Sequence, residues 1–249
     1  LRIGVGGDTG SLVGNVTVSS AGTLVFNRLN TYSFDGIISG SGGVIQTGSG
    51  WLVFTQANTY TGTTSVAHGE LRVANNAALQ YSTVSGLISI SSVITAPVFG
   101  GLAGNGQIWT DNASQTLTVG GNNASTVYYG DFENRISLIK VGTGTLTLAA
   151  AQTSLSGAVI NDGALKLAVT NYFDLGAIEN NSRLILETSG SATISAVISG
   201  TGSLATNGPG TSILTGSNSY SGGTTISGGT LKIGDGAAKI EGLSDVMLN

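Results

Sequence analysis

The stretch Gly48-Ser-Gly-Trp51-Leu-Val-Phe-Thr-Gln-Ala-Asn58-Thr-Tyr60-Thr-Gly62-Thr-Thr-Ser-Val-Ala-His68-Gly69-Glu-Leu71 decides the fold. It reads as a strand, an Asn-x-Tyr-x-Gly corner and a further strand, with a Gly-x-Gly pair at one end and a single glycine before the last strand. The frame returns at Gly142-Thr143-Gly144-Thr145-Leu146 and at Gly208-Pro209-Gly210-Thr211-Ser212. In each copy another Gly-x-Leu strand begins 19 residues after the second glycine: Gly69-Glu70-Leu71, Gly163-Ala164-Leu165 and Gly229-Thr230-Leu231. Residues 22–79 and 182–239 also match without a gap. They share Ile38-Ser39-Gly40 with Ile198-Ser199-Gly200, and Asn58 and Tyr60 with Asn218 and Tyr220.

A spacing near 20 residues is too long for a hairpin and leaves no room for a crossover helix. It suits one turn of a parallel β-helix, in which coils stack and inward Leu, Ile and Val form ladders. The alternation in Leu146-Thr147-Leu148 and Leu165-Lys166-Leu167 buries one side of each strand and wets the other. The reading is therefore an all-β, right-handed parallel β-helix (a β-solenoid), with corner glycines supplying positive φ. Coils of roughly 20–22 residues predict about eleven or twelve turns and a rod of about 50–60 Å. Residues 1–249 form one β-helix segment in this reading. Leu1-Arg2-Ile3-Gly4 starts in the frame of Leu231-Lys232-Ile233-Gly234, so the segment is expected to be a fragment of a longer solenoid. Residues 81–97 and 124–137 depart from the pattern, and Ser125–Lys140 is where a protruding loop or hairpin is expected.

Composition excludes the competing classes. Charged residues are 9% of the chain, too few for the wet faces of a helical bundle. The 40 glycines have no three-residue period and there are 2 prolines, so the chain is not collagen-like. With 40% hydrophobic residues in alternating runs it is not disordered either. Net charge is −4, leaving no basic face for nucleic acid. There is no cysteine, hence no disulfide or thiolate metal site. No apolar run is long enough to span a bilayer, so this segment is not expected to insert into a membrane.

The chemistry-bearing residues are few. His68, the single histidine, sits at a corner; no Gly-x-Ser-x-Gly elbow accompanies it and no cysteine could join it on zinc. The Gly-x-Gly pairs lack the third glycine of a phosphate loop and read as coil corners. Asp131, Glu133 and Arg135 are the densest charged group and are expected on one strand face. A β-helical lyase or glycosidase needs convergent carboxylates, but Asp35, Asp111 and Asp162 fall in other frames, so no second row is expected to converge. No catalytic residue, cofactor or metal is therefore assigned. Tyr60 and Tyr220 hold one repeat position and read as corner packing. Trp51, whose counterparts are Thr145 and Thr211, reads as outward. The candidate binding surface is Trp51, Tyr128, Tyr129, Asp131, Glu133 and Arg135.

The unit 48–71 and its near copy 208–231 resemble the autotransporter-associated β-strand repeat of bacterial type V secretion passengers. Gly100-Gly-Leu-Ala-Gly104-Asn-Gly106 and Leu117-Thr-Val-Gly-Gly-Asn-Asn123 resemble the connecting coils of large AIDA-like adhesins. The resemblance implies a signal peptide and an outer-membrane β-barrel in the full protein. It also implies export through the periplasm and display at the bacterial cell surface or release outside it. It carries no catalytic residues. It implies a passenger acting in adhesion or in cell–cell self-association, as in aggregation and biofilm, with a second copy or a host-cell or glycan receptor as partner. A passive stalk presenting another domain and a β-helical carbohydrate-active enzyme are the alternatives. The surface chemistry favours association: a rod poor in charge, with repeated Thr, Ser and Asn columns, offers many weak hydrogen bonds of about 1 kcal/mol each.

Overall fold

The computed structural model describes residues 1–111, 115–150, 155–168, 172–173, 175–234, 239–240 and 246–248. Every helix or strand element among them is a strand, and every strand pairing is parallel to the coil before or after it. The strands form a β-solenoid of about 11 turns. An 11-stranded sheet runs from Arg2–Gly7 to Ile198–Ser199. A 6-stranded sheet from Tyr32–Phe34 to Asp131–Phe132 accompanies its first part, and a 7-stranded sheet from Thr126–Tyr128 to Val246–Leu248 takes over.

The alternating strands build this architecture because each inward residue meets its equivalent one coil away. Leu146, Leu165, Leu184 and Leu204 are in register and buried, as are Leu148, Leu167 and Leu186 beside them. Each such leucine contributes about 1.5–3 kcal/mol through burial. At the other end, Leu52, Leu71, Ile88 and Ile108 form the corresponding ladder. Phe26 packs edge-on against Phe34 and Phe54, with ring centroids 5.7 and 6.1 Å away.

The repeat seen in the sequence is two coils. In residues 44–73 the strand Gly43–Gln46 pairs with Thr64–Val66, and Trp51–Phe54 pairs with Glu70–Val73. The two later copies pair in the same way, Ile136–Lys140 with Leu155–Ile160 and Thr145–Leu148 with Ala164–Leu167, then Ser203–Thr206 with Thr224–Ile226 and Thr211–Leu214 with Thr230–Ile233. The fixed 19-residue spacing now has a cause. Gly69, at φ +67, lies against the carbonyls of Gly48 and Gly50 one coil below, and any Cβ there would come closer than 3.0 Å to both. Gly163 and Gly229 stand in the same relation to Gly142 and Gly144, and to Gly208 and Gly210.

The inward polar residues of the repeat are hydrogen-bonded. Asn58 accepts from the Ile38 N–H at 2.8 Å and donates to the Ala78 carbonyl at 3.0 Å, joining three successive coils. Asn218 accepts from the Ile198 N–H at 2.9 Å but donates within its own coil, to Gly216. The Tyr60 and Tyr220 hydroxyls bond to Thr64 and Thr224 in the core, as corner packing required. Gln46 donates to the carbonyls of Gly48 and Gly50. Its counterpart Lys140 is 1% exposed and donates to the carbonyls of Val141, Gly142 and Asp162 at 2.6, 2.7 and 3.2 Å.

Residues 124–137, expected to protrude, are stacked into the rod. Thr126–Tyr128 pairs forward with Thr145–Leu148, while Asp131–Phe132 pairs backward with Gln107–Ile108. This coil therefore ends the 6-stranded sheet and starts the 7-stranded one. The pivot is Tyr128, whose ring packs on Phe132 at 5.3 Å and whose hydroxyl donates to the Gly106 and Asp131 carbonyls at 2.8 and 2.9 Å. The third repeat is turned relative to the second by one face. Its leading strand, Ser203–Thr206, lies on the 7-stranded sheet, which in the second repeat carries Thr145–Leu148 and Ala164–Leu167.

Candidate functional site

Because side chains alternate, burying Leu52, Leu71, Ile88, Ile108 and Phe132 turns their strand neighbours to the other side of the sheet, where Trp51 is exposed, Trp109 is half-buried, and Glu70 and Ser89 are covered. On the 6-stranded sheet this makes columns running along the rod. Trp51, Glu70, Leu87, Gln107 and Asp131 form one; Ser33, Val53, Arg72, Ser89, Trp109 and Glu133 form the next. Both tryptophans of the chain thus share one face. Their strands are three coil steps apart, about 14 Å at the usual inter-strand spacing.

The face is cross-linked by its own side chains. The Arg72 guanidinium lies over the Trp51 ring at 5.5 Å from the centroid and is ion-paired with Asp111. Glu70, only 6% exposed, accepts from the Ser89 hydroxyl, which satisfies a buried carboxylate oxygen. Gln107 donates to Glu133. Asp111 also accepts from the Ser92 N–H at 3.2 Å, and Asp35, at the far end, accepts from Thr55 at 2.8 Å. The result is a face on which carboxylates prevail, on a rod otherwise poor in charge.

The sequence-derived candidates divide. Trp51 is outward, at 42% exposure, as expected. Asp131 and Glu133 lie on the same sheet face as Trp51. Tyr128 is corrected: it is 0% exposed, the pivot of the sheet handover, and offers no surface. Its neighbour Tyr129 is 59% exposed beyond that strand. Arg135 is exposed, but not on one strand face with Asp131 and Glu133. Asn134 and Arg135 adopt φ of 59° each, so the chain turns after Glu133. Asp111 is a second correction, since it falls on this face although its sequence frame set it apart.

Sequence reasoning missed Trp109, Arg72, Gln107 and Glu70 as members. A local signal existed: Gln107-Ile108-Trp109-Thr110 alternates, and with Ile108 inward Trp109 must face out. What the sequence lacked was the register across coils of unequal length between Ala74 and Thr110. Among the described residues no group of His, Cys, Asp and Glu is arranged to hold a metal ion, and no helix is long and apolar enough to cross a membrane.

A second surface lies on the 11-stranded sheet. Thr116, Ser137, Ile139, Val159, Ala177, Glu179 and Ser199 rim a shallow hollow where Gly157 supplies no side chain.

Stacked two-coil units, glycine-locked corners and one differentiated outer face define a repeat-built β-solenoid that presents side chains along a rod. The family model of the passenger-associated-transport-repeat matches residues 44–73, 138–167 and 204–233, the three two-coil units described above. Over 56 residues the chain is 50% identical to the adhesin BmaC autotransporter of Brucella suis biovar 1 (strain 1330), a stretch that is 22% of this chain and 2% of that protein. No solved structure matches. The chain thus carries three passenger-associated-transport-repeats and resembles an autotransporter adhesin over the matched stretch.

Proposed function

We propose that this segment is an adhesive rod, displayed at the bacterial surface or released from it, that engages its partner through the outer face of the 6-stranded sheet. The observation that carries the reading is the concentration of Trp51 and Trp109 with Arg72, Asp111, Asp131 and Glu133 on one side of a charge-poor solenoid. An exposed Trp51 and a half-buried Trp109 beside charged groups are the composition from which binding hot spots are built. The resemblance to a protein named as an adhesin supports the same reading. The full protein is proposed to carry an outer-membrane barrel. No catalytic role is assigned to the face.

The test is attachment of beads coated with this chain to host cells or to bacteria bearing the passenger. Replacing Trp51 and Trp109 together by alanine is expected to abolish attachment, whereas replacing the counterparts Thr145 and Thr211 leaves it intact. Equal attachment by both variants removes the face from the function and leaves the stalk reading.

A second reading, self-association, draws on the hollow around Gly157, where Ile139 and Val159 face outward on a sheet side with Glu179 as its charged rim residue. Sedimentation velocity over a range of concentrations tests it. A dimer that disappears in Val159→Lys supports it, and a monomer throughout rejects it.

A further inference from the structure

We propose that the tryptophan face recognises a cationic polypeptide, an extended segment bearing arginine or lysine side chains. This rests on the adhesive reading above and specifies the chemistry of its partner. Three observations lead to it. The carboxylates of Asp35, Glu70, Asp111, Asp131 and Glu133 outnumber the guanidiniums of Arg72 and Arg135 on and beside this sheet, so its field attracts cations and repels acidic ligands.

The molecule also contains the recognition unit in miniature. Arg72 places its guanidinium over Trp51 and pairs with Asp111, an aromatic ring and a carboxylate gripping one cation from two sides. Trp109, half-buried on the same face, supplies the second ring. It lies in register with Ser89 on one side and Glu133 on the other, one column from Gln107 and Asp131. Among the described residues no arginine stacks on Trp109 as Arg72 does on Trp51, and the cation for that ring comes from the partner.

A second copy of this chain offers its cations only at scattered positions. Of its 9 basic residues, Arg28 is committed to the carbonyls of Asp8 and Gly10, Arg72 to Asp111, Lys166 to Glu187, and Lys140 is buried, while the exposed Arg2, Arg183 and Lys232 lie on three different sheets and Arg135 at a bend, so they form no row along one face. The repeat spacing suits a strand-like occupant lying along the columns, with side chains reaching Trp109 and the Trp51–Arg72 pair about 14 Å away.

Trp51 and Trp109 are the only tryptophans, so intrinsic emission reports this face alone. The folded chain is titrated with an arginine–serine repeat peptide, an aspartate–serine repeat peptide and a neutral cello-oligosaccharide, each at low and high salt. The arginine peptide is expected to shift the emission saturably, with affinity falling as salt rises, and the other two to leave it unchanged. Glu133→Gln and Trp109→Ala are each expected to weaken peptide binding about two- to fivefold by calorimetry, with unaltered circular dichroism.

A salt-independent response to the oligosaccharide, or arginine-peptide binding untouched by both substitutions, overturns the proposal. Attachment lost in the double tryptophan variant without any arginine-peptide binding also overturns it but keeps the adhesive reading. Peptide binding with attachment unaffected keeps the site and removes adhesion.

Discussion

At the residue scale the corner glycines set the tolerance of the rod. Gly69, Gly163 and Gly229 combine φ near +65° with carbonyls pressed against the missing Cβ. Gly163→Ala is expected to cost about 2–4 kcal/mol, combining left-handed backbone strain with a displaced neighbouring coil, read as a lower denaturant midpoint. Lys140 offers a test of charge burial. Its desolvation holds the ammonium below the ordinary lysine value, with Asp162 opposing. The unfolded chain therefore binds that proton more tightly, and the penalty is present at neutral pH and fades as pH rises toward about 10.4. The stability of the wild type relative to Lys140→Gln, which restores the residue used at Gln46, should rise with pH over that window in parallel denaturant titrations. The glycine spacing was legible because it repeats without error. The buried ammonium was not, because a lysine in a strand ordinarily reads as outward, and only the carbonyls of its own corner and of the coil above explain it.

At the element scale the stability of a coil resides in its bonds to neighbours. Asn58→Ala strands both the Ile38 N–H and the Ala78 carbonyl in the core, whereas Asn218→Ala strands an N–H and a carbonyl within a narrower span of chain. The Asn58 substitution is expected to cost about 2–4 kcal/mol, the larger of the two, measured by denaturant midpoint. The buried tyrosines give an alkaline signature. Burial pushes the phenols of Tyr60, Tyr128 and Tyr220 above their ordinary value near 10. Their stabilising effect is complete below about pH 10 and is lost as pH climbs above it. Phenolate absorbance from these residues should therefore appear together with loss of the strand circular dichroism. The strands and corners of the three repeats could be read from alternation and spacing. The coil at 124–137 could not, since two short strands on different sheets, separated by a bend, leave no periodic trace. Tyr128 looked exposed for that reason: its charged surroundings concealed a core residue.

At the scale of the whole molecule, backbone contacts run chiefly between adjacent coils, with side chains such as Arg72 reaching Asp111 two coils away, so stability is distributed rather than concentrated in one core. A proline in the central strand Leu155–Ile160, Val159→Pro, removes a ladder hydrogen bond between the halves. Both tryptophans lie on the N-terminal side of that break. The fluorescence transition should then part from the circular dichroism transition on heating, while the two coincide in the unsubstituted chain. The binding face was half legible: outward Trp51 could be inferred from its threonine counterparts, but the company it keeps depends on register through coils of unequal length. The change of sheet between the second and third repeats carries a consequence for display. Seen down the long axis, the leading strands of the first two copies share one heading, while that of the third takes the neighbouring sheet. Adding copies of one sequence unit thus need not extend a single stripe of chemistry: the third copy presents the same motif on a new heading from which a partner can approach.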